Sequence, residues 1–359
     1  MRYKYITPVK IVRLVFLMAD VLRVGVLGLV HDHVWDILDQ FKEVEDAEVT
    51  CASDVNEPLL VKAAGSGMKS YRSHEDLLSE EDIDAVIVYT ENSRHAEITE
   101  MAAEKGLHIM VEKPMAANLQ QAERMLKAEK KYGIKLMVNY PTAWHPTFRE
   151  AYKLAREGSM GRIYQVRYRA AHEGPKEIGC SPYFCEWLYS KELNGAGAFM
   201  DYCCYGANMC RWILGVPEKA VALGGTYVRD YLTVEDNAVL LMGYKKAMGI
   251  AEASWSQIGE GIPPKYTLVI NGSDGVIAAG KELRIYRAKK GWETVEPTPL
   301  EKELKSGPQH FVTCIREDKP FDNVVSPAHN RDAQAILQAG LVSMQEDRVI
   351  YLSELGVAD

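Results

Sequence analysis

The sequence predicts an α/β protein built from two units: an N-terminal doubly wound parallel sheet, then an α/β domain with a mostly antiparallel sheet. Three observations carry this. At 359 residues the chain is long enough for roughly two domains. Its first third alternates short apolar runs with helical stripes, as a parallel sheet with helices on both faces requires. After Pro146 the runs lengthen and follow one another across short turns, which favours antiparallel pairing.

Residues 22–28 form an apolar run that ends in Gly28. Residues 32–41 follow with Val34, Ile37, Leu38 and Phe41 on one helical stripe, and Asp32 is placed to cap that helix. Strands are expected at 47–54, 83–89, 107–111 and 135–139. Helices are expected at 57–64, 93–105 and 119–132, with Gly65, Gly106 and Gly133 as their stops. Beyond Pro146 a helix is expected at 148–156. Strands follow at 162–171, 219–227, 237–244, 247–257, 266–271 and 275–278, with helices at 202–214 and 333–346. The turn at 271–275, rich in Asn, Gly, Ser and Asp, joins two of these strands.

Apolar residues make up 47% of the chain and charged residues 26%, which excludes collagenous, largely disordered and polytopic membrane classes. The net charge of -8 gives no diffuse positive field for nucleic acid or anionic lipid, so neither is an expected partner. Seven scattered cysteines show no C-x-x-C pair and no zinc-type spacing, which fits free thiols in a reducing, cytoplasmic setting. Residues 1–20 carry Arg2, Lys4, Lys10 and Arg13 around a short apolar run. Arg13 interrupts it and no cleavage site follows, so an extension is expected rather than a leader or anchor.

The first strand–helix turn is the first place where chemistry is expected. A dinucleotide fingerprint wants three glycines there. Gly28 fits the first, but Val30 and His33 occupy the second and third. Asp54 ends the second strand, 26 residues beyond Gly28, where a carboxylate can accept from both hydroxyls of a ribose and repel a 2′-phosphate. NAD is therefore expected ahead of NADP. His31, Asp32 and His33 lie side by side, but adjacent residues at a helix start point apart, so no metal is expected; His31 and His33 are placed near cofactor phosphates. Glu112, Lys113 and Pro114 follow a strand at the edge where open parallel sheets take their ligands.

Glu112-Lys113-Pro114, with Thr90, Asn92 and His95 upstream, resembles the EKP and TPNxxH elements of the glucose-fructose oxidoreductase / inositol dehydrogenase (Gfo/Idh/MocA) family. The likeness continues through residues 195–201, 212–215, 235–237 and 310–312, and spans almost all of 22–354. It implies a Rossmann domain at 21–141 and, at 142–359, a substrate-binding and oligomerisation domain with a large open sheet. Family members pair through that sheet, so a homodimer or homotetramer is expected, with Trp255 among the large apolar residues needing cover.

The resemblance also implies an NAD(H)-dependent oxidoreductase moving a hydride to or from a sugar, sugar-acid or cyclitol. Its cofactor would be met by Gly28, Val30, His31, His33, Asp54, Thr90, Asn92, His95, Glu112 and Lys113. Three departures stand out: the altered glycine loop, Glu91 in place of proline, and Tyr205 four residues after Asp201 where histidine is common. The tyrosine version resembles the glucose-fructose oxidoreductase branch. The catalytic residues implied are Lys113, Asp201 and Tyr205. Tyr205 exchanges the proton, Lys113 lowers the phenol's pKa and polarises the reacting oxygen, and Asp201 orients Lys113 or holds a substrate hydroxyl. His172, Trp144 and Glu186, with Asp201 and Tyr205, are the expected substrate contacts; Arg94, His145, Glu173 and Trp187 fall in the same segments. Two alternatives remain open: net non-redox sugar chemistry on a retained NAD, and a non-catalytic nucleotide- or sugar-binding regulator.

Overall fold

The computed structural model describes residues 21–260 and 264–357. The expected extension at 1–20 lies outside them. The N-terminal sheet is six-stranded and wholly parallel, in the order β3-β2-β1-β4-β5-β6. Its elements are β1 (Leu22–Leu27), α1 (His33–Lys42), β2 (Ala47–Ser53), α2 (Glu57–Gly65), β3 (Lys69–Tyr71), α3 (His74–Glu80), β4 (Ala85–Val88), α4 (His95–Glu104), β5 (His108–Glu112), α5 (Leu119–Tyr132) and β6 (Leu136–Asn139). Strands β4 and β6 are buried at every position, as strands covered on both faces must be. The order reverses between β1 and β4, which opens a crevice at their carboxyl ends.

The stripe expected for α1 is its buried face: Val34, Ile37, Leu38 and Phe41. The expected cap fails, however. Asp32 is itself helical in backbone and makes no side-chain cap bond; its carboxylate accepts from the Ser181 N–H at 2.6 Å instead. Helix α5 has the expected bounds. Asn118 accepts from the Gln121 N–H at its start, and Gly133 ends it with a positive φ of 67°.

The second unit contains α6 (Pro146–Arg156), β7 (Ile163–Ala171), α7 (Pro182–Leu188), α8 (Lys191–Asn194), α9 (Cys204–Leu214), β8 (Lys219–Gly225), β9 (Asn237–Gly243) and β10 (Met248–Ser254). It continues with β11 (Tyr266–Gly272), β12 (Gly275–Ala279), β13 (Leu283–Arg287), β14 (Gly291–Val295), α10 (Gly307–Arg316), α11 (Pro327–Glu346) and β15 (Ile350–Tyr351). Nine strands form one sheet, β14-β13-β12-β11-β7-β10-β9-β8-β15. It is antiparallel except where β7 runs parallel to β10. Helices α9 and α11 pack on one face. Gly206 allows the close approach of α9, because a side chain there would strike Ala251 of β10. Apolar side chains remain on the outer face, with Leu223 74% exposed beside Val239 and Leu241. Trp255 is not among them: it is fully buried, because the chain turns inward after β10.

Several elements escape the sequence reading, among them β3, α3, α7, β13, β14 and α10. Most are too short for a period to show, and α7 lies in a stretch without regular alternation. All seven cysteines are free thiols. Among the described residues, no helix is long and apolar enough to cross a membrane.

Candidate active site

Three strand ends meet at the reversal point. Gly28 leaves β1 with φ 86°, and any Cβ there would collide with the Thr90 side chain and lie 2.8 Å from its backbone nitrogen. Glycine is thus demanded by both conformation and space. The Leu29 N–H donates to Asp54 Oδ2 at 2.6 Å, while Asp54 Oδ1 accepts from the backbone and side chain of Asn56. Asp54 therefore stands at the end of β2, buried, and already ties the turn to the strand beside it.

Beyond Gly28 the turn is covered. Val30 and His31 are buried. Trp187 Nε1 donates to the Val30 carbonyl at 3.4 Å, the Phe184 ring lies 4.6 Å from the His31 ring, and Ser181 is tied to Asp32. Residues 180–187 thus fold over the start of α1. The glycine turn, Asp54 and the space beside Lys113 fit the two ends of a dinucleotide. The stretch between them is closed by that segment.

Asn92 and His95 turn inward rather than into the crevice. Asn92 Nδ2 donates to Asn194 Oδ1 at 2.7 Å, and the His95 ring spans the carbonyls of Met115 and Thr90. They hold the β4–α4 turn and join it to the second unit. The expected divergence of His31 and His33 also fails. Their rings are 4.5 Å apart, and His33 Nδ1 meets Glu112 Oε1 at 3.0 Å across the crevice, because residue 31 precedes the helix and residue 33 begins it.

Lys113 follows β5 and enters the second unit. The side chains of Lys113 and Asp201 are 2% and 7% exposed, and Nζ donates to Asp201 Oδ1 at 2.7 Å. Trp255 Nε1 donates to Asp201 Oδ2 at 3.1 Å, a contact with no signal in the sequence. Asp201 lies in a π turn, Phe199–Cys203, that leads into α9; such bulges concentrate at functional sites. Burial opposes both charges. It would lower Lys113, but the Asp201 carboxylate holds it well above its usual value; it would raise Asp201, but Lys113 holds that carboxyl low. The pair is ionic.

Tyr205 packs beside it. Lys113 Nζ lies 4.8 Å from the ring centre, over the face rather than at the hydroxyl, and Tyr140 and Tyr168 flank the ring. Lys113 acts to lower the phenol, as expected, but the net shift is upward. Burial pushes Tyr205 well above its ordinary value, and the opposing charge of Lys113 is the smaller effect. The phenol is therefore protonated at neutral pH.

A cavity of about 930 Å³ opens onto these groups. Lys113, Asp201, Tyr205, His33, His145 and His172 line it, and Tyr202 and Tyr266 share a 2.8 Å hydroxyl contact at its wall. His172 Nδ1 accepts from the Gly174 N–H at 2.9 Å, and its ring stands edge-on to Tyr202. Two expected contacts are corrected. Trp144 donates to Asn139 and packs on His310, outside the cavity, because the short helix Pro141–Trp144 carries Thr142 toward the cavity instead. Glu186 is exposed, since α7 buries Phe184, Trp187 and Leu188. Arg94 and Glu173 do not line the cavity either. Sequence reasoning missed Tyr202, Tyr266 and Trp255; of these only Tyr202, beside Asp201, carried a positional hint.

Burial lowers His172 to about 4, and likewise His74 to about 4 and His329 to about 3. Each is folded as a neutral ring, whereas the unfolded chain binds a proton near 6.5. Their stabilisation is present above pH 6.5 and is lost as pH falls toward 4. We expect the melting temperature to drop across that window. His172→Gln should flatten the slope by its share, up to about 3 kcal/mol. An unchanged slope in the variant would remove His172 from this account.

A model described as "Oxidoreductase family, NAD-binding Rossmann fold" matches residues 22–140, and one described as "GFO/IDH/MocA C-terminal domain" matches 148–278. The D-apiose dehydrogenase of Paraburkholderia graminis is 21% identical over 345 residues, covering 90% of this chain and 87% of the relative. The myo-inositol 2-dehydrogenase of Thermotoga maritima is 24% identical, covering 65% and 68%. An Agrobacterium radiobacter oxidoreductase, solved with NAD+, L-tartaric acid and magnesium, superposes with a TM-score of 0.80 at 19% identity, covering 93% of this chain and 99% of the other.

Proposed function

The chain belongs to the Gfo/Idh/MocA family of oxidoreductases, and on that premise we propose that it is an NAD(H)-dependent enzyme acting on a hydroxyl or carbonyl of a sugar, sugar-acid or cyclitol. The observation that carries this reading is the buried Lys113–Asp201 pair beside Tyr205 at the base of one large cavity. Dehydrogenase relatives of D-apiose and myo-inositol support the substrate class.

Bound NAD(H) supplies a hydride acceptor or donor. The chain supplies the rest. Asp201, held from behind by Trp255, fixes the Lys113 ammonium. That cation stabilises negative charge on the reacting oxygen. Tyr205, protonated at neutrality, gives its proton to that oxygen in the reducing direction. His172, neutral and fixed through Nδ1, presents its other nitrogen to a substrate hydroxyl. The clustered aromatic rings of Tyr202, Tyr266 and Phe148 suit the apolar faces of a ring polyol.

Asp54 favours NAD over NADP. Its oxygens already accept from Leu29 and Asn56, and a 2′-phosphate would add charge against them. In a fluorescence titration we expect NADH to bind at least about tenfold tighter than NADPH, some 1.4 kcal/mol. Equal affinities would remove Asp54 from cofactor choice. A panel of sugars, sugar acids and cyclitols, followed at the NADH absorbance, then tests the substrate class.

The covered start of α1 favours a second reading, in which NAD stays bound and is reset in each turnover. Loss of a glycoside's leaving group without net NADH would support it; steady NADH accumulation would overturn it.

We also propose a homodimer or homotetramer through the outer face of the nine-stranded sheet. Leu223, Val239 and Leu241 leave an apolar patch there. Sedimentation should give a mass well above the 40.3 kDa chain, and Leu241→Asp should shift it toward monomer. A wild-type monomer would overturn this.

A further inference from the structure

Among the described residues, His31, His33 and Glu112 are gathered so that one ligand atom from each lies within 4.8 Å of the others. We propose that they form a site for one divalent transition-metal ion of the zinc class, seated between the start of α1 and the end of β5.

Geometry is the first argument. His33 Nδ1 and Glu112 Oε1 are 3.0 Å apart, close to the separation of about 3.3 Å that two ligands take around a tetrahedral ion with bonds near 2.0 Å. The carboxylate is the second. Glu112 is 0% exposed, and its Oε2 makes no well-formed hydrogen bond, although the Tyr89 hydroxyl lies near enough to act on the carboxylate. A buried carboxylate with one oxygen lacking a well-formed hydrogen bond is costly, and a cation in front of it removes that cost.

The donor set then selects the ion. Two imidazoles and one carboxylate suit Zn²⁺, Co²⁺ or Ni²⁺ better than Mg²⁺ or Ca²⁺, which prefer oxygen throughout. Three protein ligands leave a coordination position free. Of the three ligands, His33 lines the large cavity. The neighbouring Lys113 does not exclude a cation, because Asp201 neutralises it. The ion would also stand where two fingerprint glycines are replaced, and there it supplies positive charge that the altered turn lacks.

The test needs neither cofactor nor substrate, so its outcome is separate from that of the proposed activity. Chelator-treated protein is titrated with Co²⁺ and then Zn²⁺, following visible absorption and melting temperature. Expected are one equivalent of Co²⁺ with weak visible bands and no thiolate absorption, displacement by Zn²⁺, and a raised melting temperature. His33→Gln, at a part-exposed position, and the isosteric Glu112→Gln should each weaken binding at least tenfold, with unchanged circular dichroism in His33→Gln. Absence of Co²⁺ and Zn²⁺ binding at high micromolar concentration would overturn the site. So would wild-type affinity in His33→Gln, or a thiolate band, which would move the ion to the cysteines.

Discussion

Lys113→Met is expected to reduce turnover by at least a thousandfold and to lower folding stability by about 3–5 kcal/mol. Methionine keeps most of the apolar stem but leaves Asp201 as a buried carboxylate with only Trp255 to satisfy it. Breaking one side of a buried pair costs more than removing both, because the stranded charge keeps its desolvation penalty. Lys113→Met combined with Asp201→Asn should therefore recover part of the stability but none of the activity. Denaturant unfolding of the two single variants and the double variant measures the coupling. Additive losses would mean that the 2.7 Å contact contributes nothing, and a Lys113→Met enzyme with near-normal turnover would end the catalytic assignment.

Tyr205→Phe should lose about a hundredfold to ten-thousandfold in kcat while its melting temperature and NADH affinity stay close to wild type. Phenylalanine preserves the ring contacts with Tyr140, Tyr168 and Lys113. Among the described residues, no group holds the Tyr205 hydroxyl, so its loss strands no partner. The pH profile adds a second readout. Because burial keeps the phenol protonated well past its ordinary value, reduction should run at a constant rate through neutral pH, whereas oxidation should rise with pH. A variant with unchanged kcat would make Tyr205 a packing residue, and a fall in the reduction rate between pH 7 and 8 would mean that another acid donates.

Much of this architecture is legible in the chain. The run 22–28, the stripe Val34, Ile37, Leu38 and Phe41, and the helix 119–132 with its terminal glycine each encode an element through local periodicity and a stop signal. The four-residue spacing of Asp201 and Tyr205 was visible too, and so was the position of Lys113 at a strand end. Trp144 and Glu186 were misplaced because a residue's side of a short helix depends on what packs against it. Trp255 read as one more apolar residue of an open sheet, and only the turn after β10 brings its indole to Asp201.

Patterns within a few residues of one another encode the two-unit α/β class, the glycine turn and the residue types available for chemistry. Tertiary structure decided what those residues can do. It closed residues 180–187 over the start of α1, brought His33 to Glu112, stood Lys113 over the Tyr205 ring and kept that phenol protonated. Each outcome depends on contacts between distant segments and on exclusion of water, and neither leaves a local signature in the chain.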